Sequence, residues 1–186
     1  AALDPLREAG TSVALVPTMG ALHEGHLSLV DRARLLADAV VMSVFVNPLQ
    51  FGPDEDLKRY PRDLARDVEL VGRRGVELVF APAEGEMYPD GPPRVRVEPG
   101  PMAEGLCGPF RPGHFAGVLT VIAKLFGLIR PAVAVFGRKD LQQAALISRM
   151  ERDLELGVRI EVAPTIRDEE GLAMSSRNDY LLPEER

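Results

Sequence analysis

Cysteine and long apolar segments are scarce in this chain, and each scarcity excludes a class of protein. Cys107 is the single cysteine among 186 residues, so an internal disulfide framework is excluded. No apolar run is long enough to cross a bilayer, and the first residues lack the order of basic, apolar and small side chains that marks a secretory signal. We therefore expect a cytoplasmic protein without a membrane partner.

Basic residues are not in excess either. The chain has 22 Lys and Arg against 28 Asp and Glu, a formal net charge of −6, and no run of like charge stands out. Nucleic acid is therefore not an expected partner. The share of hydrophobic residues, 46%, suits one globular domain. Residues 3–9 resemble the end of one helix and residues 182–186 the start of another, so we expect the chain to be part of a longer protein.

Short β-branched runs alternate with longer amphipathic stretches, which is typical of βαβ units. The runs predict strands, brief and buried on both faces, at residues 12–16, 40–46, 77–80, 132–136 and 159–163. The amphipathic stretches predict helices at residues 27–36, 63–73, 115–128 and 141–154. The sequence thus predicts an α/β fold, a doubly wound and mostly parallel sheet with helices on both faces.

Proline and glycine are concentrated between residues 89 and 113, which predicts loops. One alternating piece, residues 94–97, predicts an edge strand. The glycines of segment 20–25 do not complete a dinucleotide-binding or P-loop pattern, so those two kinds of site are not expected. Cys107 lacks the sequence surroundings of a thiol nucleophile and is expected to be a small buried apolar side chain.

A pair of histidines lies where the first predicted strand gives way to a helix. His23 and His26 flank Glu24 and Gly25. At the carboxyl end of a strand in an α/β sheet, the next helix begins with unpaired N–H groups and the positive end of its dipole, where anions bind. Two imidazoles three residues apart share a helix face and can stabilise the charge that develops in nucleotidyl transfer. In the alternative interpretation, one imidazole caps the helix and the other lies in the core.

A second polar cluster follows the strand predicted at residues 132–136. It consists of Gly137, Arg138, Lys139 and Asp140. The carboxyl end of a parallel strand is where α/β proteins bind ligands, and Lys139 is placed there to reach a phosphate. An ordinary turn is the alternative.

A third cluster lies near the end of the chain, in segment 171–178. Ser175, Ser176 and Arg177 supply two hydroxyls and a guanidinium, which suit the β- and γ-phosphates of a nucleotide. A helix cap beside a solvated charge is the alternative.

These three clusters stand in a fixed order with three other segments. The segments are residues 17–26, 45–51, 60–62, 113–115, 137–140 with Gln142 and Gln143, and 171–178. Together they resemble the pantothenate synthetase family, the ATP-dependent ligases that join pantoate to β-alanine. The H-x-G-H pattern alone is shared by many nucleotidyltransferases, whereas the N-P-x-Q-F and M-S-S-R segments are far more specific. The resemblance implies a Rossmann-like domain at residues 1–177, with residues 178–186 as a hinge into a C-terminal domain.

The resemblance also implies a two-step reaction through pantoyl adenylate, with release of pyrophosphate and then AMP. His26 would donate a proton or stabilise charge, and His23, Lys139, Ser175, Ser176 and Arg177 would act on the phosphates. The implied ATP-binding residues are Met19, Gly20, Ala21, Leu22, His23, Glu24, Gly25, His26, Gly137, Arg138, Lys139, Asp140, Ile166, Met174, Ser175, Ser176 and Arg177. The implied substrate-binding residues are Gln50, Gln143, Arg111 and His114, of which the two glutamines would hold pantoate.

Magnesium is expected with a triphosphate, and Asp67 is the candidate ligand. Part of the family has two adjacent acids and a later glutamine on this helix, whereas here Arg66 precedes Asp67 and Leu70 follows. A solvated carboxylate is the alternative for Asp67. The family's habit of pairing through this domain makes a homodimer the expected assembly.

Three other functions remain open at this point. A metal-dependent hydrolase would use His23, His26 and His114 as ligands. Another H-x-G-H adenylyltransferase would take a different acceptor, and the two glutamines would then lack a purpose. A nucleotide-binding domain without turnover is the third, because the family's C-terminal domain closes over the site. We expect this chain to bind ATP but to be poorly active.

Overall fold

The computed structural model describes residues 2–182, and within them a parallel sheet forms the centre of the molecule. Its strands are β1 (Val13–Thr18), β2 (Ala39–Val44), β3 (Leu78–Phe80), β4 (Val133–Gly137) and β5 (Arg159–Ala163). They are ordered β3-β2-β1-β4-β5, and every pairing is parallel. The predicted α/β class and the doubly wound sheet are confirmed.

Apart from α1, which precedes β1, the helices fall between the strands, as the alternating pattern predicts. They are α1 (Asp4–Glu8), α2 (Glu24–Arg34), α3 (Leu64–Gly72), α4 (Glu84–Met87), α5 (His114–Ile129) and α6 (Leu141–Leu154). The predicted start of α2 at residue 27 was late, because His23 caps the helix and Glu24 already belongs to its first turn. No described helix, within residues 2–182, has the length and apolarity needed to span a membrane.

Side chains of alternate residues in the central strands enter two separate cores. Leu15 of β1 and Phe136 of β4 pack in the core that includes α5 and α6. Val16 and Val135, one residue away on the same strands, pack in the core that includes α2 and α3. This period of two in a buried strand places helices on both faces, as predicted.

The edges of the sheet correct two predictions. β3 is only partly buried, and β5 is exposed at Arg159 and partly buried over its next three residues, so these strands are not buried on both faces as expected. The predicted edge strand at residues 94–97 is wrong, since this segment has no strand assignment. There the N–H of Val97 donates to Oγ1 of Thr120 on α5, at 3.0 Å, instead of to a strand. A helix side chain thus replaces the sheet edge as the hydrogen-bond partner.

The order of the strands creates a switch point between β1 and β4. From β1 the chain continues outward through β2 to β3, and from β4 it continues in the other direction to β5. The connections leaving the carboxyl ends of β1 and β4 therefore diverge, which opens a crevice where α/β proteins bind ligands. The histidine segment follows β1 and the Lys139 cluster follows β4, so both lie at this crevice.

The last described residues form a 3-10 turn, Asn178–Tyr180, that lies against the loop before α3. The hydroxyl of Tyr180 donates to the carbonyl of Arg59 at 3.1 Å. The predicted division into residues 1–177 and 178–186 stays a prediction, and residues 183–186 of the predicted final helix lie outside the described range.

Candidate active site

A strained loop connects β1 to α2 and sets the place of the histidines. Gly20 and Ala21 both have left-handed backbone, with φ of +83° and +52°. At Gly20 a Cβ would lie 2.9 Å from both Oδ2 of Asp67 and Cγ1 of Val44, so glycine is required for space as well as for conformation. The loop is thus fitted closely against α3.

Asp67 of α3 holds this loop by its backbone. Its Oδ2 accepts from the N–H of Ala21 at 2.9 Å, and its Oδ1 accepts from the N–H of Leu22 at 2.8 Å. The Asp67 side chain is 1% exposed, so the predicted alternative of a solvated carboxylate is wrong. A buried carboxylate that accepts two backbone hydrogen bonds is a structural anchor for the turn into α2.

The two histidines cap α2 together. Nδ1 of His23 accepts from the N–H of Gly25 at 3.1 Å, and Nδ1 of His26 accepts from the N–H of His23 at 3.4 Å. Their ring centroids are 4.0 Å apart. A neutral imidazole that accepts at Nδ1 carries its proton on Nε2, so His26 keeps an Nε2–H donor for another partner. Capping by one histidine was the predicted alternative, and the structure combines it with a shared face.

His26 is neutral in the free protein. Burial, and then the nearby His23 and Lys139, lower the pKa of His26 from 6.5 to about 3. A buried imidazole beside other positive groups loses its proton. His26 can therefore donate a hydrogen bond from a neutral ring, and its proton affinity rises only when a negative group binds nearby.

Gly25 has a steric reason for lacking a side chain. A Cβ at this position would lie 2.8 Å from Cε1 of His23 and 3.3 Å from Cβ of Met174. Glycine at residue 25 thus leaves room for the His23 ring in its capping position.

Lys139 lies at the end of β4 on the 3-10 turn Arg138–Asp140. Its Nζ is 3.1 Å from Oδ1 of Asp140, and the Lys139 side chain is 37% exposed. An ion pair this exposed is weak, so the ammonium can leave Asp140 for a ligand.

The C-terminal segment turns back over the crevice. An antiparallel bridge joins Arg167 to Ala173 and reverses the chain. Oγ of Ser176 then donates to the carbonyl of Ala21 at 3.0 Å, which ties this segment to the strained loop. Nε and Nη2 of Arg177 donate to the two carboxylate oxygens of Asp56, both at 2.9 Å. The segments that the sequence placed at opposite ends of the chain are therefore in contact.

Asn47 and Tyr88 position Gln50, and sequence reasoning did not identify either of them. Nδ2 of Asn47 donates to Oε1 of Gln50 at 3.1 Å and to the carbonyl of Gly117 at 3.2 Å. Oδ1 of Asn47 accepts from the hydroxyl of Tyr88 at 2.8 Å. Nε2 of Gln50 lies 3.1 Å from Sδ of Met19. Asn47, 1% exposed, could have been suspected as a polar residue within the N-P-x-Q-F segment, whereas Tyr88 gave no signal.

Arg111 and His114 form a connected pair at the start of α5. Nη1 of Arg111 lies 2.8 Å from Nε2 of His114, and Nδ1 of His114 lies 2.8 Å from the carbonyl of Gln50. These partners require the proton on Nδ1, which donates to the carbonyl. Burial lowers the pKa of His114, so this ring is also neutral. Arg111 supplies the positive charge here.

One cleft of about 220 Å³ at the switch point collects most of the predicted site residues. Its lining includes Met19, His23, Gly25, His26, Gln50, Arg111, His114, Gly137, Lys139, Asp140, Gln143, Ile166, Met174, Ser175, Ser176 and Arg177. His26 and Arg177, from opposite ends of the sequence, thus line the same cleft. The lining also includes Ser43, whose buried Oγ has no hydrogen-bond partner within residues 2–182.

Six predicted residues do not line this cleft. They are Gly20, Ala21, Leu22, Glu24, Asp67 and Arg138. Leu22 is 1% exposed and belongs to the core, and Glu24 pairs with Arg74 at 3.1 Å. Ala21 and Leu22 line a neighbouring cavity of about 430 Å³, which shares His23, Met174, Ser175 and Ser176 with the cleft. The contribution of Gly20, Ala21, Leu22, Glu24 and Arg138 to ATP binding remains a prediction.

The described residues do not fit a metal held by the protein. Within residues 2–182, no group of three or more His, Cys, Asp or Glu side chains is arranged to hold an ion. The oxygens of Asp67, the predicted magnesium ligand, already accept backbone hydrogen bonds. We therefore assign no step of the chemistry to a resident metal.

Cys107 is exposed, which corrects the expectation of a buried apolar side chain. Its Sγ lies 3.0 Å from Oε1 of Gln142. Cys107 does not line the cleft, so it has no place in the chemistry of the site.

Comparison with known proteins decides the family. The model of the pantoate-beta-alanine ligase family matches residues 1–186. The chain belongs to this family. The pantothenate synthetase of a Nocardioides species is 62% identical over 186 residues, and pantothenate synthetase 1 of Bradyrhizobium diazoefficiens is 56% identical over 185 residues. These alignments cover 97% and 100% of the chain but 56% and 65% of the relatives, so the chain spans little more than half to two thirds of their length.

Solved structures of this ligase family have the same fold. The pantothenate synthetase of Thermus thermophilus matches with a TM-score of 0.90 and 57% identity, over 93% of this chain and 63% of that one. The pantoate-beta-alanine ligase of Francisella tularensis, complexed with beta-gamma ATP and beta-alanine, matches with a TM-score of 0.90 and 42% identity. That alignment covers 94% of this chain and 67% of the Francisella chain.

Proposed function

We propose that the chain belongs to an ATP-dependent ligase that condenses pantoate with β-alanine to give pantothenate. The observation that carries this proposal is the cleft at the switch point. It is lined by His23, His26, Lys139 and Arg177, which suit a triphosphate, and by the amide of Gln143, which suits a hydroxy acid. The Francisella relative, complexed with beta-gamma ATP and beta-alanine, supports ATP and β-alanine as two of the ligands.

In the first step, a carboxylate oxygen of pantoate would attack the α-phosphorus of ATP. The bond from that phosphorus to the bridging oxygen would break, and pyrophosphate would leave with the electron pair. The neutral ring of His26 would donate from Nε2 to a nonbridging oxygen, and Lys139 would offset charge on the leaving group. The products of this step are pantoyl adenylate and pyrophosphate.

In the second step, the amine of β-alanine would attack the acyl carbon of pantoyl adenylate. The bond from that carbon to the phosphate oxygen would break, AMP would leave, and the amine would lose a proton. No covalent bond to the protein is needed in either step. Gln50, which Asn47 holds beside Met19, would hold pantoate and contact β-alanine.

The arrangement of the histidines argues against a metal-dependent hydrolase. Both ring nitrogens of His114 are engaged, by Arg111 and by the carbonyl of Gln50. Nδ1 of His23 and Nδ1 of His26 accept backbone hydrogen bonds. Among residues 2–182 the three rings therefore do not form a ligand set, in agreement with the lack of a metal-binding group there.

Binding and turnover are separate parts of the proposal. The Arg177 side chain is 42% exposed, so water reaches this side of the cleft. An adenylate held in an open cleft is lost or hydrolysed. We therefore expect the 186-residue chain to bind ATP but to turn over poorly, and turnover equal to that of a full-length relative would refute this. The expected homodimer and cytoplasmic location also belong to the proposal, and light scattering on the purified chain tests the first.

Titration calorimetry of ATP, followed by pantoate, tests the binding function. Lys139→Ala should weaken ATP binding about 10- to 100-fold, because a hydrogen bond to a charged group contributes about 1.5–3 kcal/mol. Arg152→Ala is the control, since this exposed cation of α6 does not line the cleft and belongs to no predicted site. His26→Ala should also weaken binding without unfolding the chain. An equal effect of the two cation variants, or no binding of ATP by the wild type, would refute the proposal.

A further inference from the structure

Two adjacent carboxylates hold the two arginines of the cleft. Glu55 and Asp56 lie in residues 52–60, which we call the acidic strap. Oε1 and Oε2 of Glu55 accept from Nε and Nη2 of Arg111 at 2.8 and 2.7 Å. Asp56 makes the same two-pronged contact with Arg177, at 2.9 Å for both bonds. The strap therefore joins an arginine at the start of α5 to one near the end of the chain.

These ion pairs differ from ordinary surface pairs. The Glu55 and Arg111 side chains are 25% and 27% exposed, and the Asp56 side chain is 13% exposed against 42% for Arg177. Two parallel N–H···O bonds fix the plane of a guanidinium as well as its distance. The hydrogen bonds from the arginines lower the pKa of both carboxyls, so each stays charged.

The strap also supports Arg177 through the ring of Tyr60. The guanidinium carbon of Arg177 lies 5.5 Å from the ring centroid of Tyr60, at the end of the strap. Carboxylate and ring together fix Nε and Nη2 of Arg177. Nη1 has no hydrogen-bond partner within residues 2–182 and remains for a ligand in the cleft that Arg177 lines.

We propose that Glu55 and Asp56 are positioning residues, which hold Arg111 and Arg177 on the wall of the cleft before a polyphosphate binds. This inference rests on the proposed function. A long arginine side chain that is already fixed loses little conformational freedom on binding, and that saving appears as affinity. The carboxylates act on the ligand only through the arginines.

Asp56→Asn isolates the charge, because the amide keeps the size of the side chain and one acceptor oxygen. Without the two-pronged contact Arg177 regains its rotamers, and we expect the dissociation constant for ATP to rise about 3- to 10-fold. Asp54→Asn is the matched control, since Asp54 is an exposed carboxylate of the same strap. This substitution makes the same change in net charge as Asp56→Asn. We expect less than a twofold effect from it.

A double-mutant cycle with Arg177→Ala decides between positioning and a general effect. If Asp56 acts through Arg177, Asp56→Asn should have no further effect on ATP affinity in the Arg177→Ala background. Asp56→Glu should restore most of the affinity because it keeps the charge. The corresponding cycle of Glu55→Gln with Arg111→Ala gives an independent measure. If circular dichroism shows that an Asp56 variant does not fold, this second cycle decides between the two explanations.

Three outcomes would overturn the inference while the proposed function stands. The first is that Asp56→Asn weakens ATP binding as much in the Arg177→Ala background as in the wild type. The second is that Asp54→Asn weakens ATP binding as much as Asp56→Asn does. The third is tighter binding of ATP by Asp56→Asn, which would mean that the carboxylate competes with the ligand. Failure of the wild-type chain to bind ATP would instead refute the proposed function.

Discussion

Asp67→Asn tests whether the buried carboxylate on α3 is a structural anchor or a metal ligand. Its two oxygens accept from Ala21 and Leu22 at 2.9 and 2.8 Å. The amide of asparagine keeps one acceptor but turns an N–H donor toward the second backbone N–H. One hydrogen bond to a charged group is lost, and the backbone N–H and the new amide N–H face each other without an acceptor.

The expected loss in the free energy of unfolding is about 2–4 kcal/mol, from about 1.5–3 kcal/mol for the lost bond and a further penalty for the buried donor. With a urea dependence of about 2 kcal/mol/M for a domain of this size, the unfolding midpoint should fall by about 1–2 M. The loop that precedes His23 would also loosen, so ATP affinity should fall together with stability.

Urea unfolding followed by circular dichroism, in buffer with EDTA, is the assay. Glu69→Gln is the control, because Glu69 is exposed on the same helix and forms an ion pair with Arg73 one turn away. Its effect should stay within about 0.5 kcal/mol. If Asp67→Asn leaves the midpoint in EDTA unchanged and lowers ATP affinity only in magnesium, the anchor interpretation is refuted and the metal-ligand prediction is supported.

Two further predictions concern the histidine pair. Gly25→Ala should lower ATP affinity about tenfold, because the new Cβ would lie 2.8 Å from Cε1 of His23 and displace the ring. Gly72→Ala is the control, because a Cβ at residue 72 meets no atom within 4 Å. Equal ATP affinities of the two variants by calorimetry would contradict the argument. The second prediction follows from the pKa of His26, about 3 when folded against 6.5 otherwise. As pH falls from 6.5 toward 3, the unfolded chain takes up the proton first, so His26 should cost up to about 1.4 kcal/mol of stability per pH unit. His26→Gln should flatten the dependence of the unfolding free energy on pH between 7 and 5, and parallel curves for the two proteins would show the assignment to be wrong.

The fold was predictable because its elements have clear local signals. Buried parallel strands such as β1 and β4 are short apolar runs, and α6 has the bounds that its apolar spacing predicts, Leu141–Leu154. The failures lie where tertiary contacts replace local ones. Residues 94–97 alternate like a strand, yet Val97 bonds to Thr120, a residue 23 positions away.

The sequence predicted which residues form the candidate site. It did not predict the protonation state of His26 or the side chains that hold the site in place. The three clusters that the sequence singled out line one cleft, since strand ends at a switch point must converge. The neutral state of His26 was not foreseen, because burial and neighbouring charge are properties of the folded chain. The anchoring role of Asp67 was missed for the same reason, as its partners lie 45 and 46 residues away.

The sequence by itself determined the order of strands and helices along the chain, the family, and which polar residues meet at the ends of β1 and β4. It could do so because periodicity and motif spacing are local. Only the tertiary structure decided how those residues are held. It committed the two guanidiniums to Glu55 and Asp56, made both histidines of the α2 cap acceptors at Nδ1, and turned Asp67 toward a backbone loop. Hydrogen-bond partners and pKa values depend on distances between residues far apart in the chain, and folding alone sets those distances.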